Sequence, residues 1–284
     1  MDKMIISKIA AIAMESILFE VSAAPKPGLV TPFSNGAHQD MDYYTFLSSA
    51  AALHSCFDDM LRLGTAYSGQ PVTAVLPPLR NCGIRQEEMM FTFTKGINTH
   101  KGMIFSMGIL CACYGWGYGK KVMNAEYLCE LAAAMCAGIC EREFQGLEHK
   151  QSLTKGEQMY LRYGCRGARG EVESGFQTVR DISLPVYREL HRQKLGTNDA
   201  LVQTLLHLIA GTNDTNIISR HDYETSVYAR KCAAGAISCG GILTAEGMSC
   251  IKDMELDFIK RNISPGGCAD LLAVTHFLYR IGEE

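Results

Sequence analysis

Residues 96–102, Gly-Ile-Asn-Thr-His-Lys-Gly, set Asn98, Thr99, His100 and Lys101 directly ahead of an apolar run. Asn98 or Thr99 suits a helix N-cap, which places His100 and Lys101 in the first helical turn. A lysine there opposes the helix dipole. An anion held by the free amides and by Lys101 resolves that conflict, where the plainer alternative is a solvated lysine on a capped helix. The stretch is not a Walker A loop, whose lysine follows its last glycine. Four other Gly- and Pro-rich loops carry similar side chains. In residues 25–42, Lys26, His38, Asp40 and Asp42 sit on a frame stiffened by prolines. Asp40 suits the cap of the next helix, and the Asp-x-Asp pair offers hard oxygens to Mg²⁺. In residues 164–175, Arg166 and Arg169 present forks suited to phosphate beside Glu171 and Glu173, with an exposed Arg169–Glu173 ion pair as the alternative. In residues 211–216, Asp214 and Asn216 are ordinary turn residues that also suit a metal or a hydroxyl. In residues 262–270, Ser264 and Asp270 flank a Pro-Gly-Gly turn, and Asp270 also suits the dipole of the helix that follows. His276, among apolar neighbours, reads as a core histidine.

Cations and paired acids on glycine-rich turns suit a polyphosphate with its metal, and so a nucleotide. No Gly-x-Ser-x-Gly elbow occurs, and no cysteine has an evident electropositive setting. The chemistry therefore rests on positioning, metal and a general base rather than on a covalent intermediate. Lys and Arg number 27 against 30 Asp and Glu, a formal charge of −3, so no field of one sign attracts a nucleic acid or an anionic membrane. The 12 cysteines contain no Cys-x-x-Cys pair and read as reduced core residues of a cytoplasmic protein rather than a zinc site.

The elements that must carry these loops are helices. Ile5, Ile9, Ile12, Ala13, Ser16, Ile17 and Glu20 recur every three or four positions, and strand-like alternation is nearly absent. Asp2, Lys8, Glu15 and Glu20 interrupt what would otherwise pass for a signal peptide. Residues 102–119 read as a buried central helix rather than a membrane span, because several glycines break the stretch. Further helices are expected at 43–63, 86–94, 101–115, 125–141, 155–163, 173–193, 199–209, 223–238, 245–260 and 268–279. No linker or repeat divides residues 1–284, so the expectation is one all-α domain with its polar loops meeting at helix N-termini in one nucleotide site. A homo-oligomer is compatible with this reading.

Taken in order, Pro-Lys-Pro-Gly-Leu-Val with Gly36-Ala37-His38 and Asp40-Met41-Asp42, Asn98-Thr99-His100-Lys101-Gly102, Gly167-Ala168-Arg169-Gly170-Glu171, Asp214-Thr215-Asn216, and Ser264-Pro265-Gly266-Gly267 with Ala269-Asp270 resemble the triphosphoribosyl-dephospho-CoA synthase family. The match covers nearly the whole chain. The resemblance implies an all-helical enzyme that joins ATP to 3′-dephospho-CoA and releases adenine. Its product is the precursor of the prosthetic group of citrate lyase or, in relatives, malonate decarboxylase, and a transferase acting on the acyl-carrier protein consumes it. On this reading Lys101, Arg166 and Arg169 hold the triphosphate, and Asp40, Asp42 and Asp214 hold Mg²⁺. Glu171 or His38 takes the proton of the attacking hydroxyl, and a carboxylate such as Asp42 steadies the oxocarbenium-like centre. Lys26, Asn98, His100, Asn216, Ser264 and Asp270 shape the pocket. Two alternatives use the same grip: an N-glycosidase with water as acceptor, and a non-catalytic nucleotide- or CoA-binding protein. Where the family usually has an acidic residue, an arginine and paired asparagines after Pro-Gly-Leu-Val, this chain has Thr31-Pro32-Phe33-Ser34-Asn35.

Overall fold

A computed structural model describes residues 1–283 and is all-α. The helices are α1 (Lys3–Ser22), α2 (Tyr43–Ala52), α3 (Cys56–Ala66), α4 (Leu76–Phe93), α5 (Lys101–Gly117), α6 (Ala125–Met135), α7 (Ile139–Phe144), α8 (Lys155–Tyr163), α9 (Gly167–Glu173), α10 (Leu184–Arg192), α11 (Thr197–Gly211), α12 (Thr215–Arg220), α13 (Tyr223–Ser238), α14 (Ala245–Arg261) and α15 (Gly266–Gly282). No helix among the described residues is long and apolar enough to cross a membrane.

Several starts are written in the sequence as caps. Asp2, Asn124, Thr154, Asp214, Asp222 and Thr244 each accept a backbone N–H from the first turn of the helix they precede. Breaks inside the expected helices also have local causes. The segment expected at 125–141 divides where Gly138 is left-handed, and that at 173–193 breaks at Gly175 and Phe176, both at positive φ. It resumes as a π-helical stretch, Val179–Ser183, that runs into α10. The helix expected at 86–94 begins earlier, at Leu76, because two prolines fit its first positions.

Helix α5 is the buried axis, with Met103, Ile104 and nearly all of residues 106–115 inside the core. Helix α3 lies against it backbone to backbone. A Cβ on Gly64 would strike the Ala112 carbonyl, and one on Gly115 would strike that of Leu61. The amphipathic face of α1 buries Ile6, Ile9, Ile12 and Ile17 and, at its last turn, Glu20. Helix α15 is buried along most of its length. His276 is the core histidine expected: its Nδ1 accepts from the Tyr187 hydroxyl at 2.8 Å and its Nε2 faces Glu15 at 3.2 Å. All 12 cysteines are free, and burial pushes the thiols of Cys129 and Cys136 up to about 12, so they pack as small apolar groups.

Candidate active site

The C-terminal turn of α1, the loop after it, and the N-terminal ends of α5, α9, α12 and α15 surround one cavity of about 930 Å³. That lies near the top of the usual range for small-molecule sites, about 300–1,000 Å³. Glycines make the convergence possible. A Cβ on Gly102 would collide with Asp270 Oδ2, and one on Gly266 would press on the Asn216 side chain. The Asp214 carboxylate joins two loops directly. Its Oδ1 accepts from the Asn216 and Ile217 amides at 2.8 and 3.2 Å, and its Oδ2 from the Cys268 amide at 2.8 Å.

Charge is divided by depth. The exposed rim carries Lys101, Lys155, Arg166 and Arg220, with Asp40 among them. Lys101 Nζ pairs with Glu87 at 2.8 Å and Arg166 with Glu173 at 3.3 Å, both exposed contacts of small worth that a phosphate can replace. The floor carries Glu20, Lys26, His100, Asp214 and Asp270. Lys26 is 1% exposed and donates to both the Glu20 side chain, at 2.5 Å, and the Glu20 carbonyl, at 2.6 Å. Burial lowers its pKa and Glu20 opposes that fall. Burial raises Asp214 despite its amide bonds, and raises Asp270 further because Glu20 and Asp214 repel its charge. Asp270 has no hydrogen-bond partner among the described residues.

Two proton acceptors were expected, and the structure separates them. The His38 ring sits 2.9 Å from Ser264 Oγ through Nε2, and Arg220 faces its Nδ1 at 3.4 Å. Arg220, which can only donate, and the Asp40 carboxylate at 3.8 Å both face Nδ1, and burial with the Arg220 charge lowers the ring's pKa while Asp40 opposes that fall. Glu171 keeps the character of a base. Its carboxylate accepts from the Thr178 hydroxyl at 2.5 Å and the Thr178 amide at 3.3 Å, and burial raises its pKa toward neutrality.

Of the residues singled out from sequence, Lys26, His38, Asp40, Asn98, His100, Lys101, Arg166, Glu171, Asp214, Asn216, Ser264 and Asp270 line the cavity. Asp42 and Arg169 do not, and their placement is a correction. Asp42, rather than Asp40, is the N-cap of α2, accepting from the Thr45 amide at 2.8 Å and hydroxyl at 2.7 Å, bonds that lower its pKa. Residues two apart in extended chain share a side only where the chain runs straight, and here the cap turns Asp42 onto α2, so only one carboxylate of the Asp-x-Asp pair reaches the cavity. Arg169 lies on α9, not in a loop, two positions from Glu171 and so on the opposite side of the helix. It pairs with Glu143 and lies over the Phe144 ring. The Arg169–Glu173 pair does not form; Glu173 takes Arg166.

The carboxylates expected to hold Mg²⁺ are not gathered either. Asp42 is a cap, Asp214 is spent on three amides, and the Asp40 side chain is 64% exposed. Among the described residues no group of three His, Cys, Asp or Glu side chains is placed to hold a metal ion. The residues do not fit a resident metal centre. The altered segment Thr31–Asn35 forms an outward turn that does not line the cavity. Thr31 Oγ1 accepts from the Phe33 and Ser34 amides at 3.2 and 3.1 Å, which closes the turn.

Sequence reasoning missed Glu20, Lys155 and Arg220. Glu20 had a signal, a carboxylate on the apolar face of α1 that demands a buried partner. Arg220 had one in its place after Asp214-Thr215-Asn216 in the run that resembles the family, whereas Lys155 had none, being a lone cation on a short helix that only the tertiary fold turns inward.

The fold and cavity describe an enzyme-like binder of phosphorylated small molecules, and the comparisons give the particular family. The family model for ATP:dephospho-CoA triphosphoribosyl transferase matches residues 6–284, and the chain belongs to that family. The probable 2-(5″-triphosphoribosyl)-3′-dephosphocoenzyme-A synthase of Photobacterium profundum is 39% identical over 94% of this chain and 85% of its own length. The 2-(5″-triphosphoribosyl)-3′-dephosphocoenzyme-A synthase of Escherichia fergusonii is 39% identical over 95% of this chain and 89% of its own. A crystal structure of a triphosphoribosyl-dephospho-CoA synthase candidate from Archaeoglobus fulgidus covers 83% of this chain and 98% of its own with a TM-score of 0.54, and at 16% identity it speaks for the fold alone.

Proposed function

We propose that the cavity transfers the 5-triphosphoribosyl group of ATP to the 2′-hydroxyl of 3′-dephospho-CoA and releases adenine. The single observation that carries this reading beyond family membership is the division of charge within one large cavity. Mobile cations at the rim suit a triphosphate that is gripped and never cleaved. The acidic floor suits a sugar carbon that becomes positive as its bond to the base breaks. In the step, the bond from the anomeric carbon to N9 breaks and its electron pair stays with adenine. The acceptor oxygen forms the new bond to that carbon, and Glu171 takes the hydroxyl proton, which ends on the departing base. Lys101, Lys155, Arg166 and Arg220 hold the phosphates, while His38 and Ser264 fix the wall beside Arg220.

Mg²⁺ enters with ATP as part of the substrate, its ligands being phosphate oxygens, water and at most one rim carboxylate such as Asp40, which is how this ion commonly binds. The product supplies a prosthetic-group transferase acting on the acyl-carrier protein of citrate lyase or malonate decarboxylase. Twelve free thiols suit the cytoplasm.

The test is chromatography of the products from ATP, Mg²⁺ and dephospho-CoA. Adenine formed only when the acceptor is present, with a coupled product of the summed mass less adenine, is the expected result. Adenine formed without dephospho-CoA would make the protein an N-glycosidase, and ATP binding with no adenine under either condition would make it a binding protein. Lys101→Ala should raise the KM for ATP by about tenfold or more, the worth of a charge-assisted contact of about 1.5–3 kcal/mol.

A further inference from the structure

Thr99, Ser49 and His100 form a buried relay beside the cavity floor. The Thr99 hydroxyl donates to Ser49 Oγ at 2.8 Å, and Ser49 Oγ lies 2.7 Å from His100 Nδ1. Ser49 Oγ has room to accept a second bond, but its one proton finds no other acceptor among the described residues, so it goes to Nδ1 and the imidazole carries its own on Nε2. Ser49 is fully buried and His100 is 2% exposed. Burial, with the Lys26 charge nearby, lowers the ring's pKa to about 3, so it is uncharged across the physiological range. His100 lines the cavity, yet its Nε2 is buried without any hydrogen-bond partner. Buried donors without acceptors are rare, and one beside a ligand cavity awaits an acceptor that the ligand brings.

The surrounding charges decide which acceptor. On the floor Lys26 is paired with Glu20 at 2.5 Å and so offers a phosphate no free cation, and Asp214 and Asp270 add carboxyl groups there, whereas the four rim cations attract phosphate. The group that reaches His100 is therefore uncharged, with a lone pair for Nε2–H and donors for neighbouring carboxylates. An adenine ring has both, ring nitrogens that accept and an amino group that donates. We propose that His100 Nε2–H receives a ring nitrogen of the adenine of ATP, with Ser49 and Thr99 as positioning residues that fix the tautomer. This rests on the transferase reading and deepens it. As the glycosidic bond breaks, negative charge develops on the base, and an N–H held at a ring nitrogen binds the departing form more strongly than the intact one.

The experiment uses the full chain labelled with ¹⁵N-histidine, with the His100 signals assigned by their loss in His100→Gln. Two-bond ¹H–¹⁵N spectra should show the Nε2–H tautomer with no titration between about pH 5 and 8. Adenine should move the Nε2 proton downfield, and inorganic triphosphate should not. Ser49→Ala should release the tautomer preference and cut kcat/KM for ATP by about 10- to 100-fold, while Ser49→Thr restores both. An Nδ1–H tautomer, titration within that range, or a signal unmoved by adenine would overturn the proposal, as would full activity in Ser49→Ala. If the wild type releases no adenine, the transferase reading fails by itself, and the response of His100 to added adenine still decides this one.

Discussion

Asp270→Asn should make the protein more stable and less active, and the size of the gain is set by where Asp270 lies. Its carboxyl is enclosed against Gly102 at the start of α5, and Glu20 and Asp214 add like charge. Burial first, and then those two neighbours, hold its folded pKa well above the ordinary 3.8. The sign of the linkage follows. Between 3.8 and the folded pKa the native state binds more protons than the unfolded chain, so unfolding free energy falls as pH rises through that window. Each unit of separation costs about 1.4 kcal/mol by the upper end of the window. At about 2–4 °C per kcal/mol for chains of 150–250 residues, one unit is a melting-point difference of a few degrees, toward the lower figure for a longer chain. The amide that Asp270→Asn introduces keeps the shape, carries no charge and finds acceptors in its two neighbours. Thermal melts of the nucleotide-free variant and wild type should therefore coincide near pH 4 and diverge in the variant's favour toward pH 8, while adenine release falls. The control is Asp214→Asn, whose lost acceptor leaves a buried amide unsatisfied at about 1–3 kcal/mol and should lower the melting point. A gap between Asp270→Asn and wild type that is independent of pH, or a variant less stable at every pH, would refute the reasoning.

Asp42→Ala should remove the cap of α2 and cost about 1 kcal/mol in chemical denaturation while adenine release stays at the wild-type rate. Arg169→Ala should likewise leave the KM for ATP unchanged and cost at most about 1 kcal/mol of stability, its side chain being one-third exposed and paired outside the cavity. Arg166→Ala should instead raise that KM, and equal kinetics in the two arginine variants would contradict the placement of α9. If Glu171 is the base, the acidic limb of kcat/KM against pH should have its midpoint above the ordinary glutamate range, because burial raises this carboxyl. Glu171→Gln should lower the rate and abolish that limb.

The residues that were legible in the sequence are those whose local pattern has one physical solution. The apolar spacing of α1 fixes which face is buried, whereas the caps expected at Asp40 and at Asn98 or Thr99 fall instead at Asp42 and His100. Gly102, Gly266 and Gly267 each lie against a side chain from another loop, where a Cβ would collide or crowd it. What failed was direction. Reading residues 164–175 as a loop left Arg169 free to point anywhere, whereas α9 turns it away from Glu171. Reading Asp40 and Asp42 as a pair ignored that a capping bond claims its carboxylate for the helix it starts. Lys155 was invisible because a single cation on a helix has no local consequence.

The expected anion seat at the head of α5 shows how the same groups are used for a different purpose. Its first residue, Lys101, does oppose the dipole, but a group from within the chain takes the first free amide: the Asn98 side chain accepts from the Lys101 amide at 3.3 Å, while the Asp270 carboxyl lies against Gly102 without a hydrogen bond to any described residue. The starts of α12 and α15 are likewise taken by Asp214. The first amides of α12 and α15 are thus spent on fixing Asp214 in the floor, and on the proposed reading a phosphate is left to the exposed cations of the rim. The carboxyl groups of the floor would then face the sugar that gains positive charge in the transition state. On the proposed reading, phosphates seated on the amide groups of α5 would lie beside the enclosed Asp270 carboxyl, so the triphosphate is expected outward at the rim.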